Sequence, residues 1–360
     1  MNKDKLKSLF VSGDITIKEA IKKLNETAEQ ILFFVDDRER LIGVINDGDI
    51  RRSIISGFQL TTSAKEVMRT DFISINKNCH NLFQAAKELI QKYRIEKIPV
   101  INDEGLIEDI IAWSDYLDGE GKEHECEYFP QHKVVIMAGG KGTRLDPFTK
   151  IIPKPLIPFK DKPIIEHIMD RYHSRGFNQF VILVNYKKEM IKLYFAENKL
   201  PYNIDFVDEQ DYYGTAGGIY LLKDKIKDTF VVVNCDTILE SDYRSILHWH
   251  RENKYLITIV GAHKEIAVPF GVLKMDNGTL VDIDEKPNYD IFVNTGTYFL
   301  EPEVISLIGE SEQLGMDELI RRVGKESPDK VGVYPHWGGW FDVGQWDEYR
   351  KSLRYMELEP

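Results

Sequence analysis

Cysteine is scarce in this 360-residue chain: three residues (Cys79, Cys126 and Cys235), odd in number and widely spaced. That excludes a disulfide framework and a cysteine-based metal cluster, and it fits a reducing cytoplasm. No run of some eighteen apolar residues occurs, so no membrane span is expected. The first residues, Met1-Asn2-Lys3-Asp4-Lys5, lack the apolar stretch of a signal peptide. Basic residues are outnumbered, and the formal charge is −12. A general nucleic-acid binder needs a basic footprint, so that class is excluded. A nucleotide pocket is not, because a few placed cations and a metal ion can hold polyphosphate on an acidic protein. The length allows two domains, each with a sizeable core.

The most informative stretch is Met137-Ala138-Gly139-Gly140-Lys141-Gly142-Thr143-Arg144-Leu145, continuing to Pro153-Lys154-Pro155-Leu156. Before it lies Val134-Val135-Ile136, an apolar β-branched run that reads as a buried parallel strand. The glycines let backbone N–H groups approach an anion, as in a nest. Arg144 and Lys154 add two cations, one a planar fork and one a point charge. A P-loop needs Lys-Ser/Thr after its last glycine, and Lys141 is followed by Gly142. A dinucleotide fingerprint needs a third glycine where Leu145 stands.

Beyond this loop, strand-like and helical runs alternate. Helix is expected from Pro163 through Tyr172, strand at Phe180–Val184, helix from Lys187 to Phe195, strand at Ile204–Val207 and strand at Phe230–Val233. This order predicts an α/β fold with a Rossmann-like, mostly parallel sheet. Ligands of such sheets bind beyond the carboxyl ends of the strands. Asp236 follows the clearest buried strand and is a natural hard-cation ligand. Asp276-Asn277-Gly278 reads as a hairpin turn.

The glycine segment resembles the Gly-Gly-x-Gly-Thr-Arg-Leu…Pro-Lys-Pro signature of the sugar-1-phosphate nucleotidylyltransferases, and the likeness runs from about His132 to the C-terminal region. It implies a GT-A-like nucleotidyltransferase fold, nucleoside triphosphate and sugar 1-phosphate as substrates, and Mg²⁺ as cofactor. It also implies roles. Ala138, Gly139, Gly140, Gly142 and Thr143 cradle the nucleotide, and Gln210, Gly214 and Thr215 take its base. Arg144 and Lys154 are catalytic. Gly271, Glu285, Lys286, Asn294 and Gly296 face the sugar phosphate, while Asp236 and Asp342 hold the metal. Cys235 replaces the usual glycine before Asp236. Residue chemistry alone leaves other readings for some of these: Thr215 as a helix cap, Asp342 as a helix N-terminal carboxylate.

The first 118 residues carry a weak duplication. Ile17, Ala20, Ile21 and Leu24 have helical spacing, and Leu82, Ala85, Ala86 and Leu89 repeat it 65 positions later. Thr16 with Glu19 reads as a capping box, and Asn81 as the second cap. Each helix precedes two apolar strands and then an aspartate, Asp49 or Asp115. The unit resembles a pair of CBS domains, with Gly43, Asn46 and Asp49 in the first copy and Asp109, Ala112 and Asp115 in the second. Asp49 and Asp115 either contact an adenine nucleotide or simply sit at helix N-termini. Such pairs stack, so a homo-oligomer, a dimer through the CBS pairs, is expected. The expected boundaries are 1–60, 61–118, an acidic linker over 119–131, and a nucleotidyltransferase domain over 132–360.

A CBS pair fused ahead of this domain resembles the glucosamine-1-phosphate guanylyltransferases of bacterial legionaminic acid synthesis. GTP with glucosamine 1-phosphate is therefore the favoured substrate pair. Mannose-1-phosphate guanylyltransfer, or glucose-1-phosphate thymidylyl-, cytidylyl- or uridylyltransfer, is the alternative. A catalytically dead nucleotide sensor is the alternative of another class.

Overall fold

The computed structural model describes residues 3–27, 31–93, 95, 97–112 and 132–357. Asp115, Cys126 and the linker 119–131 lie outside the described residues. The chain divides into two compact units, Met1–Glu125 and Cys126–Pro360.

In the first unit the duplication is visible in the topology. Strands Phe10–Ser12, Ile31–Val35 and Leu41–Asn46 form one sheet; Ile75–Asn76, Lys97–Ile101 and Ile107–Ala112 form the other. In each, the first pair is parallel and the second is an antiparallel hairpin. The helix Ile17–Thr27 buries Ile17, Ala20, Ile21 and Leu24, the apolar stripe its spacing predicts. Its capping box is present. The Thr16 N–H donates to Glu19 Oε2 at 2.7 Å, and the Glu19 N–H donates to Thr16 Oγ1 at 3.2 Å. The second helix, Leu82–Tyr93, begins differently. Asn81 sits at φ 58°. That is the left-handed region and not the extended geometry of a cap.

The second unit is built on a seven-stranded sheet. Its order is Asn203–Asp208, Gln179–Val184, Lys133–Ala138, Phe230–Asn234, Asn288–Leu300, Ile257–Ala267, Val331–His336. All neighbours are parallel except around Asn288–Leu300, which is antiparallel to both of its partners. Because side chains alternate along a strand, the central strands fill two cores. Val134, Ile136, Ile182, Val231 and Val233 pack on one face with Ile164, Ile165, Ile168 and Met169 of the helix Ile164–His173. Val135, Val181, Leu183 and Val232 pack on the other with Ala216, Ile219 and Leu319. A continuous apolar strand is the sequence mark of this two-sided burial.

A hairpin, Val272–Asp276 with Thr279–Asp284, leaves this body. Its turn is the one expected: Asn277 and Gly278 both have positive φ, 49° and 87°. A type I′ turn requires positive φ at both positions. Thr16→Ala removes one half of the capping box in the first unit. Protection of the first-turn amides of Ile17–Thr27 against hydrogen exchange should fall about 5-fold, the effect of about 1 kcal/mol. Unchanged protection would show that the box adds nothing.

Candidate active site

The carboxyl ends of strands Lys133–Ala138, Gln179–Val184, Asn203–Asp208 and Phe230–Asn234 open into a cleft of about 540 Å³. That volume suits a nucleotide-sized ligand. Gly139, Gly140, Lys141, Gly142, Thr143 and Arg144 form one wall. Gly142 has φ 67°, and a Cβ there would come within 2.9 Å of Lys154 Cβ. Glycine at 142 thus lets the loop lie directly on Lys154.

Lys154 is 8% exposed, and its Nζ donates to Oδ2 of Asp236, which is 5% exposed. Burial is the largest influence and would lower the ammonium's pKa; the charge of Asp236, its hydrogen bond and the neighbouring Cys235 together outweigh it and hold Lys154 above its ordinary range. The Arg144 guanidinium lies 4.0 Å from the same Oδ2 and is exposed toward the cleft. Both sequence-predicted cations therefore meet the first predicted metal carboxylate.

The second carboxylate arrives through a small ladder. Strands Thr237–Leu239 and Trp340–Asp342 pair antiparallel, with Thr237 opposite Asp342. The Val343 N–H donates to the Asp236 carbonyl at 3.0 Å. Asp342 thus ends a strand and does not open the helix Trp346–Glu357. Burial and the nearby charge of Asp236 push its carboxyl pKa above the ordinary range. Gly344 shows how tightly the groups converge. A Cβ at this position would lie 2.0 Å from Asp236 Oδ2, 2.9 Å from Asp342 Oδ1 and 2.9 Å from Lys154 Nζ. Two oxygen-donor carboxylates of this kind fit a hard divalent cation that completes its shell with water and phosphate. The described residues contain no group of three or more His, Cys, Asp or Glu side chains suited to a metal. Cys235 lines the cleft beside them, its thiol pKa pushed up to about 12 by burial, so it stays protonated.

A family model for nucleotidyl transferases matches residues 133–357. The chain belongs to that family. A CBS domain model matches residues 1–56 and 64–119. The chain is 31% identical over 244 residues to the UTP–glucose-1-phosphate uridylyltransferase of Synechocystis, covering 62% of each. It is 30% identical over 249 residues to a probable glucose-1-phosphate cytidylyltransferase of Bacillus subtilis, covering 63% of this chain and 95% of the relative. Among solved structures, HddC from Yersinia pseudotuberculosis is 25% identical with a TM-score of 0.50, covering 62% of this chain and 99% of that one. The match thus spans less than two thirds of the uridylyltransferase and nearly all of the shorter relative.

Within this nucleotidyl transferase domain, the base side differs from expectation. Gly214 and Thr215 line the cleft, but Gln210 is exposed and does not. Glu209 lines it instead. The Glu209 N–H donates to the Val184 carbonyl at 2.9 Å, which extends the strand pairing one residue past Asp208. Glu209 follows the strand and is buried; Gln210 lies in the bend after it and is exposed. Thr215 does not cap its own short helix. Its Oγ1 accepts from the Met316 N–H at 2.9 Å and so caps the distant helix Met316–Glu326.

On the sugar side the structure gathers less. Gly296 lies against Asn234, a cleft residue: a Cβ there would meet Asn234 Nδ2 at 2.4 Å. Asn294 is used locally, accepting from the Gly296 N–H at 3.0 Å and donating to the Tyr298 hydroxyl at 2.8 Å. Gly271, Glu285 and Lys286 are outside the cleft lining, at the base of the hairpin, with Lys286 at φ 48°. Asn185, Tyr186, Tyr212 and Asn234 join the cleft without having been singled out in the sequence. Asn185 and Tyr186 lie just past a strand end and Asn234 closes one, the signal that could have found them.

In the first unit, Asp49 is the inner residue of a capping box. Asn46 Oδ1 accepts from the Asp49 N–H at 2.8 Å, the Asp49 carboxylate accepts from the Asn46 N–H at 3.1 Å, and Arg52 pairs with it. A separate cleft of about 510 Å³ lies beside Asp49, Arg52, Ser53 and Arg69.

Glu209 is 3% exposed, and burial raises its carboxyl from the ordinary 4.5 to about 7. Unfolded, it deprotonates near 4.5. Between 4.5 and 7 the native state holds more protons, so stability falls as pH rises through that window. Glu209→Gln abolishes this loss. The variant should be more stable than the wild type at pH 8 by on the order of 3 kcal/mol, and by less than half of that at pH 5.5. Equal melting-temperature differences at the two pH values would show that the carboxylate is not desolvated.

Proposed function

We propose that the chain is a sugar-1-phosphate nucleotidylyltransferase that moves a nucleoside monophosphate from a triphosphate to a sugar 1-phosphate. One observation carries this reading. Arg144 of the glycine loop and Lys154 of the turn beneath it converge on Asp236 at the mouth of a nucleotide-sized cleft, with Asp342 beside them.

An oxygen of the sugar phosphate attacks the α-phosphorus in line. The bond from that phosphorus to the β-phosphate bridging oxygen breaks, and pyrophosphate leaves with the electron pair. The attacking phosphate is already anionic at neutral pH, so no strong base is required. The barrier lies in bringing anions together and in charge growing on the leaving group. Preorganised cations answer both. Arg144 is assigned to the leaving pyrophosphate, Lys154 to the reacting phosphates and Lys286 to the sugar phosphate. Asp236 and Asp342 are the residues that would hold Mg²⁺, which supplies further neutralisation of phosphate charge when bound.

GTP with glucosamine 1-phosphate is the proposed substrate pair, supported by the CBS pair ahead of the domain. Mannose 1-phosphate with GTP, or glucose 1-phosphate with dTTP, CTP or UTP, is the runner-up. The CBS pair is read as a dimerising module, with an adenine nucleotide as its candidate ligand beside Arg52 and Arg69. The engagement of Asp49 in a capping box favours the structural role for that residue.

Arg144→Ala should lower kcat by ~10²–10³, the effect of losing one preorganised charge stabiliser. Near-normal turnover would remove its role. Asp236→Ala should abolish activity at every magnesium concentration; full magnesium-dependent turnover would overturn the ligand assignment. A panel of five triphosphates against glucosamine, mannose and glucose 1-phosphates, read by pyrophosphate release, tests the reaction itself. Release with none of them would overturn the proposal. Release with UTP but not GTP would replace the substrate pair and keep the class.

A further inference from the structure

The hairpin that leaves the second unit carries an apolar face that packs on neither core. From Lys264 to Phe292 almost every residue is exposed, and none belongs to the two clusters that fill the sheet. The strand register sorts the side chains of the hairpin by face. Leu273 stands opposite Ile283, and Met275 opposite Leu280. Successive side chains alternate, so Leu273 and Met275 share a face and bring their partners with them. The register slips by one residue at Val281, which keeps Leu280 and Ile283 on the same side.

The other face is charged and satisfied. Lys274 stands opposite Asp282, and Val272 opposite Asp284. The Lys274 ammonium lies 2.8 Å from Asp284 Oδ2 and 3.2 Å from Asp282 Oδ2. An antiparallel sheet ordinarily has one face solvated and one packed. Here the solvated face is complete and the packed one has no layer against it. Leu273, Met275, Leu280 and Ile283 are each at least half exposed, and Val281 is more so than most of them. Two strands alone are marginal in water, and an apolar face is what lets a small sheet be held by a neighbour. The pattern continues toward the body. Ile266 stands opposite Tyr289, with Ile291 on the same side, and Phe270 is 72% exposed.

Three conditions define what covers this face. The cover is apolar, because the charges of the hairpin lie on the opposite side. It is present whenever the chain is, because bare strands with an open apolar face associate indiscriminately. It is large: these nine side chains expose on the order of 900 Å² together, and a stable interface takes about 800 Å² from each partner. A second copy of the chain meets all three conditions. It brings the same apolar face, at equal concentration, with the same area.

We propose that two copies of the chain associate through this hairpin about a two-fold axis, apolar face on apolar face, with Lys274, Asp282 and Asp284 of each turned to solvent. This contact is separate from any association through the CBS pair, and it holds whatever reaction the cleft performs.

The test uses the purified full chain. Met275→p-benzoylphenylalanine puts a photo-cross-linker on the apolar face, and Lys274→p-benzoylphenylalanine puts one on the charged face. Irradiated at low micromolar concentration, the first should give a covalent product of twice the chain's mass, and the second should not. Adding Leu273→Asp and Ile283→Asp should cut that product at least ~10-fold, the loss of two buried aliphatic side chains from each copy. Circular dichroism should be unchanged, since neither side chain belongs to the sheet's cores. A product undiminished by the two aspartates would overturn the proposal. So would a Met275 cross-link within one chain to Met1–Glu125, which would make the first unit the cover. A wild-type chain that sediments as a monomer would overturn it without any variant.

Discussion

The pairing of Lys154 with Asp236 is the constraint on which the cleft depends. Both groups are almost fully buried, and each would be costly there alone. The helical turn Lys154–Leu156, against which the glycine loop lies, carries the lysine, and the segment just past the central strand carries the aspartate. Their attraction fixes the distance between two segments that are remote from each other in sequence. Arg144, on the glycine loop that Gly142 lets lie against Lys154, then stands within reach of the same carboxylate. The cations of this space are oriented before any anion enters it, so an anionic ligand would find little reorganisation left to make.

The second carboxylate arrives by backbone pairing, not by charge. Asp342 is brought opposite Thr237 by a three-residue ladder, and the Val343 amide reaches back to the Asp236 carbonyl. Two carboxylates are thereby held close, and burial first, then the charge of Asp236, raises the Asp342 pKa. A cation is what such a pair lacks, and the ammonium of Lys154 partly supplies that need. Asp236 is thus the one residue shared by the buried ion pair with Lys154 and by the close approach of two carboxylates.

Much of the fold was legible because burial on both faces leaves continuous apolar strands. Val134–Ile136, Phe180–Val184 and Phe230–Val233 announce themselves in this way. The capping box at Thr16 and the turn at Asn277-Gly278 were legible because their chemistry is local. The pairing of Asp236 with Asp342 was not, since no spacing rule links residues joined only by a distant ladder; family resemblance supplied it. Gln210, a base contact on the resemblance alone, is exposed outside the cleft lining while its neighbour Glu209 lines it; the resemblance marks the stretch without deciding which adjacent side chain faces the cleft. Asn81 lacked cap geometry because a residue type favours a cap without fixing its dihedral angles. The sugar-side residues Gly271, Glu285 and Lys286 belong to a hairpin outside the cleft wall, where sequence order does not determine spatial approach.

The hydroxyl of Thr215 fastens this turn of the cleft wall to the first amide of Met316–Glu326, far along the chain. The helix has Gly315 at its own N-terminus, which brings no side-chain acceptor. The wall at this turn is therefore joint property of two remote stretches of chain. A loop transplanted here from a relative would strip that helix of its borrowed cap unless it, too, carried an acceptor at position 215.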